Sequence, residues 1–115
     1  IDGSGVRAFA TDRDTAYHAA LDVFGAEGYV IHSANPLAGT FTAKSGAGET
    51  AGVVDYRLAH VVVESLRADR VRVRIGIVHT YEPSGAGRRP NNDRPVRDRA
   101  VYEDLFGKMA AAIGS

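Results

Sequence analysis

The sequence predicts a two-layer α+β fold: one antiparallel sheet with two helices on one face, in the order β-α-β-β-β-β-α. Three observations predict it. Two stretches, from a cap at Thr11 to about Glu27 and about 96–113, repeat apolar residues at helical spacing. Five other stretches alternate apolar and polar residues or concentrate β-branched and aromatic ones. Four of those five follow one another through turn-rich segments, which favours antiparallel pairing with the helices segregated to one side.

Residues 1–5 (Ile1-Asp2-Gly3-Ser4-Gly5) read as a flexible leader, and 6–115 as a single domain. Val6 to Ala10 alternates and predicts a short first strand. Thr11-Asp12-Arg13-Asp14 has capping-box spacing, with Thr11 as the cap and acids at the positive end of the helix. Tyr17, Ala20, Leu21 and Phe24 form that helix's apolar stripe, and Gly28 suits the left-handed position that stops it. Tyr29 to Ser33 is the second strand. Asn35-Pro36-Leu37-Ala38-Gly39 is turn chemistry, and Thr40 to Lys44 pairs back as a hairpin.

Ser45 to Gly52 reads as a loose, glycine-rich loop. Val53 to Leu66 is a long strand whose alternation is broken: Val54, Tyr56 and Leu58 share one face, Val61 and Val63 the other. A bulge near Ala59-His60 would bring both sets to the core; the alternative is burial on both faces. Arg67-Ala68-Asp69 makes the next turn. Arg70 to Tyr81 alternates well, with Val71, Val73, Ile75, Ile77, His79 and Tyr81 on the core face and Arg70, Arg72 and Arg74 on the other. A three-residue loop sets Glu64 opposite Arg72, a favourable pair; a two-residue loop would turn Glu64 toward the core. Glu82 to Arg94 reads as a long loop, with Asp93 as a cap and Pro95 near the first turn of the last helix. Tyr102, Leu105, Phe106, Met109 and Ile113 form that helix's stripe.

Composition narrows function mainly by exclusion. Of 115 residues, 44% are hydrophobic and 24% charged, ordinary for a globular domain. Fourteen basic residues balance fourteen acidic ones, which argues against a general nucleic-acid binder. There is no cysteine, so disulfides, thiolate metal sites and cysteine nucleophiles are excluded. No apolar run approaches the length of a membrane span. The first residue is not methionine, so the lack of a targeting segment carries no information on location. Charge is uneven: residues 67–99 hold nine arginines against four acids, enough to make one basic face on a neutral molecule.

No catalytic, cofactor-binding or metal constellation emerges. His18, His32, His60 and His79 are scattered, with no pair at metal-ligand spacing. The long hairpin could bring His60, His79 and Asp55 together as a weak metal or acid–base site, but half-buried histidines at sheet margins are the blander reading. The serines lack a nucleophile elbow. Gly46-Ala47-Gly48 and Gly85-Ala86-Gly87 lack the context of a phosphate-binding loop, although Arg88 and Arg89 follow the second. The sharpest feature is the ladder Arg70, Arg72 and Arg74, with Arg57 or Arg67 nearby. With Arg88 and Arg89 it forms the candidate interaction patch, suited to phosphates, lipid headgroups or an acidic partner. A solvated charge row is the ordinary alternative.

Three segments carry a resemblance: Glu27-Gly28-Tyr29-Val30-Ile31 closing a helix, Gly39-Thr40-Phe41-Thr42-Ala43 as a G-x-I-x-A-like strand, and Tyr102-Glu103-Asp104-Leu105-Phe106 as a closing "Y-x-x-L-F" helix. With Arg94-Pro95-Val96 before it, this layout resembles the helix-grip domains found in a lipoprotein component of the bacterial outer-membrane β-barrel assembly machinery, over about residues 6–113. Phe41 stands where isoleucine or valine is more usual. The resemblance implies a non-enzymatic periplasmic domain acting through envelope protein contacts, with membrane association through an upstream lipid anchor outside this chain. A small-molecule or lipid carrier, using a cavity between helix and sheet near Tyr17, Phe24, Tyr56 or Tyr81, is the alternative.

Overall fold

A computed structural model describes residues 4–45, 48–50, 53–83, 92–96 and 98–113. It is an α+β fold in two layers. The elements are β1 (Ser4–Phe9), α1 (Arg13–Ala26), β2 (Tyr29–Asn35), β3 (Thr40–Ser45), β4 (Gly48–Thr50), β5 (Val53–Arg67), β6 (Arg70–Pro83), β7 (Asn92–Pro95) and α2 (Arg99–Ile113). The sheet is antiparallel throughout, in the order β1-β6-β5-β3-β2. The short β4 adds to β5, and β7 adds to β6. Both helices pack on one face, where Phe41, Ala43, Ala59, Val61, Val63, Val71, Val73, Ile75 and Ile77 meet Tyr17, Phe24, Tyr102, Phe106 and Met109.

The helices follow their stripes, but their caps differ from expectation. Asp12, not Thr11, caps α1: its carboxylate accepts from the Thr15 amide at 2.8 Å and from the Thr15 hydroxyl at 2.9 Å. An aspartate there satisfies a first-turn donor and places charge against the positive helix end. Gly28, at φ +91°, ends the helix as expected. Asp98, rather than Asp93, caps α2, accepting from the Ala100 amide at 3.0 Å. Asp93 and Pro95 lie in β7, where a loop leading into the helix's first turn was expected, and α2 starts at Arg99 rather than about 96; Pro95 is tolerated because β7 is a short edge strand.

Other boundaries also move. Ser4 and Gly5 belong to β1, opposite Gly76 and Ile75, so pairing begins inside the expected leader. A Cβ on Gly5 would sit 2.9 Å from both Phe106 and Tyr102, so this position lets α2 lie close on the strand. Residues 48–50 pair with 53–55 instead of looping freely. Ala59 and His60 carry no bulge: β5 keeps its phase from Val53 to Ser65, with Ala59, Val61 and Val63 inward. Tyr56 and Leu58 therefore face outward. There they are half-buried, the Lys44 ammonium lying 4.1 Å over the Tyr56 ring.

The β5–β6 turn reaches the expected pairing by another route. Arg67 pairs directly with Arg70 across a two-residue turn, which alone would swing Glu64 inward. The register shifts at Leu66, between Ser65 and Arg67, and that one extra residue returns Glu64 to a position opposite Arg72. The β2–β3 turn is as expected. Gly39, at φ +74°, donates to the Asn35 carbonyl at 2.9 Å, and its own carbonyl accepts from the Val63 amide at 2.7 Å.

The edge of β6 shows how α2 is fixed. β1 covers β6 from Val71 to Gly76, and β7 covers it from Val78 to Tyr81. Ile77 falls in the gap. Its amide donates to the Tyr102 hydroxyl at 3.4 Å, its carbonyl accepts from the Val96 amide at 2.8 Å, and the same hydroxyl donates to the Val96 carbonyl. One phenol thus satisfies buried backbone groups that would otherwise be costly.

Candidate functional site

Successive rows across the helix-facing side of the sheet differ sharply in chemistry. Ile31, Ala43, Ala59 and Ile77 pair in one row across β2, β3, β5 and β6. The two alanines are fully buried, and their small size brings the helices close. The aromatic cluster beside them is dry: Phe24 meets Phe41 at 5.6 Å and Tyr29 at 5.0 Å, and Tyr17 meets Phe41 at 5.7 Å, all near edge-to-face.

Two residues along each strand, the next row reads Tyr29, Ser45, Arg57 and His79. All four are half-buried. Over this row the layers part and leave a cleft of about 470 Å³. It is roofed by Val101, Asp104 and Leu105 of α2, with Glu27 at the end of α1 and Asp55 on β5 completing its rim.

The groups in the cleft are mostly matched. Lys108 bridges Glu27 at 2.6 Å and Asp104 at 3.0 Å, tying the two helices together. Those carboxylates hold the Lys108 ammonium above its ordinary range, Glu27 contributing most. Asp55 Oδ1 lies 3.9 Å from His79 Nε2, an electrostatic contact longer than a hydrogen bond. The Ser45 hydroxyl accepts from the Arg57 amide at 2.8 Å. Burial raises the Tyr29 phenol above its usual value, opposed by the positive charge of the nearby Arg57 guanidinium. Tyr29 thus has its ring in the dry core and its hydroxyl in the cleft.

The expected site residues are dispersed. His60 lies exposed on the outer sheet face opposite Gly76, whereas His79 faces the helices, so the two do not neighbour each other. His18 lies exposed on α1 and His32 in the irregularity of β2. Among the described residues no group of three or more His, Asp or Glu side chains is arranged to hold a metal.

The arginine ladder is only partly free. Arg74 meets Glu64 at 2.8 Å and Arg72 meets it at 3.3 Å. These bonds, that from Arg72 first, pull the Glu64 carboxyl below its ordinary range. Arg70 is exposed beside the turn. Arg57 projects on the opposite face and is no part of this ladder, and Arg88 and Arg89 lie outside the described residues. Sequence reasoning missed Tyr29, Ser45, Arg57 and Asp104 as neighbours. The available signal was the polar phase Asp55, Arg57 preceding the apolar phase Ala59, Val61, Val63.

No family model matches the chain, and no curated protein matches it. Two solved structures have a similar outline. One is a DUF4468 family protein from Bacteroides ovatus, at TM-score 0.49 and 14% identity, covering 100% of this chain and 89% of that one. The other is a TBP-like protein from Parabacteroides distasonis, at TM-score 0.48 and 12% identity, covering 96% and 91%. Likeness at this level carries no argument about function. The envelope setting rests on the sequence resemblance alone.

Proposed function

We propose that this chain is a non-enzymatic binding domain, the soluble part of an envelope lipoprotein, and that it binds through the cleft at the open end of the helix–sheet sandwich. The carrying observation is the change between adjacent rows, sealed over Ile31, Ala43, Ala59 and Ile77 and open over Tyr29, Ser45, Arg57 and His79. A concavity of this size with a few convergent polar groups is the form small-ligand sites take. Its charged rim suits a polar ligand better than a lipid tail, which narrows the carrier alternative to small polar molecules.

The periplasmic setting, the upstream lipid anchor and an envelope protein partner come with the sequence resemblance. His60 lies on the opposite sheet face from His79 and Asp55, so the three do not form one acid–base or metal site, which supports a binding role. Native mass spectrometry of protein purified gently from its own host tests the reading. A co-purifying small molecule that is lost in Arg57→Ala is the expected result. A ligand or partner retained equally by Arg57→Ala, or turnover that depends on Asp55 or His79, overturns it.

A further inference from the structure

The cleft's hydrogen-bonding groups define the ligand more closely. Each acid in the cleft has a basic neighbour: Glu27 and Asp104 share Lys108, and Asp55 has His79. Arg57 has no carboxylate within ion-pair distance among the described residues. Its neighbours are hydroxyls, and both are left with protons to give. Tyr29 lines the cleft with Arg57, whose charge acts on its phenol, and with its ionisation pushed up by burial it keeps its own O–H. Ser45 accepts from the Arg57 amide, so its O–H is directed elsewhere.

The row thus presents a guanidinium and two hydroxyl donors, side by side across β2, β3 and β5. Only an acceptor with several lone pairs satisfies all three. The charge around them selects among anions. The lining carboxylates Glu27, Asp55 and Asp104 outnumber the lining guanidinium of Arg57, and Lys108, outside the lining, is bound to two of them. That field opposes a dianion such as phosphate more than a monoanion.

Resting on the cleft as the binding site, we propose that it takes the carboxylate end of a small molecule, anchored by Arg57 and flanked by the Tyr29 and Ser45 hydroxyls. Nuclear magnetic resonance titrations of the whole chain test this, with sodium acetate, sodium phosphate and sodium chloride compared at equal ionic strength. Acetate should shift the Ser45 and Arg57 amides and the Arg57 side-chain N–H in a saturable way. Phosphate should bind more weakly and chloride should not saturate. Arg57→Gln should weaken acetate binding about tenfold or more, as loss of a charge-assisted bond does. Asp55→Asn should strengthen it about two- to threefold by removing a like charge at partly solvated range, a gain that a merely structural role would not produce.

Saturable acetate shifts that survive Arg57→Gln unchanged would overturn the assignment, as would phosphate binding more tightly than acetate. If the native mass of the purified protein shows a bound molecule without a carboxylate, the carboxylate inference fails while the cleft remains the binding site. If no molecule binds in the cleft at all, both fail.

Discussion

The two ends of the helix–sheet layer are built on the same strands and behave as opposites. At the closed end, Phe24, Phe41 and Tyr17 interlock over Ala43 and Ala59, and every described side chain there is apolar or has its polar tip satisfied, as Tyr17 does by donating to the Thr40 carbonyl at 2.8 Å. At the open end, one pleat away, Arg57 replaces an alanine and His79 an isoleucine in the same inward phase. The difference teaches that a single sheet face can change from core to site within two residues. Side-chain size decides where the helices touch, and side-chain charge decides where water enters.

The largest effects should come from the closed end. Phe24→Ala removes a fully buried ring that meets Tyr29 and Phe41, and should cost about 3–5 kcal/mol in denaturant unfolding. A loss below about 1 kcal/mol would break the description of that end as tightly packed. Gly39→Ala should follow at about 3 kcal/mol. Its φ is +74°, and a Cβ there would lie 2.5 Å from the Val63 carbonyl oxygen, which is backbone and cannot swing aside. An unchanged midpoint would show that the turn can relax, and that the closed end is less rigid than its geometry indicates.

The open end should respond in binding rather than stability. Arg57→Gln should change unfolding by no more than about 1 kcal/mol, since the residue is half-buried at the cleft and makes no ion pair among the described residues. A larger loss would make Arg57 a structural brace and blur the contrast between the two ends.

The smallest effect belongs to the outer face. Arg72 and Arg74 hold the Glu64 carboxyl below its ordinary value of 4.5. A group whose folded value is depressed stabilises fully above its unfolded value and loses that contribution as pH falls through the folded one. The small melting-temperature advantage of the native chain over Glu64→Gln should therefore be complete at neutral pH and fade below pH 4.5. An advantage that grows on acidification would contradict the ion-pair geometry.

Much of the fold could be read from residue order. The apolar stripes of α1 and α2, the Asn35–Gly39 turn, Gly28 as the stop of α1 and the pairing of Glu64 with Arg72 all rest on local spacing, and all are present. The cap of α1 was missed by one residue, because adjacent acids and hydroxyls can satisfy the same first-turn donors; that of α2 was missed by five, because residues 92–95 pair with β6 and the helix starts only at Arg99. The phase of β5 was ambiguous for a different reason. Val54, Tyr56 and Leu58 carry more apolar area than Asp55, Arg57 and Ala59, so hydrophobicity favours the wrong face. The strand keeps one phase, because its continuous pairing with β6 outweighs that preference, and Lys44 covers Tyr56 outside.

That phase separates what the chain states on its own from what folding decides. Periodicity, turn residues and charge balance determine an antiparallel sheet with two helices, since each depends on neighbours a few residues apart. The cleft depends on residues 29, 45, 57, 79 and 104, which share no local pattern. Only the register of four strands aligns the first four in one row, and only the packing of α2 sets Asp104 above them. Long-range pairing positions these groups because alternation tells which residues share a face of a strand, but not which residues of other strands lie beside them.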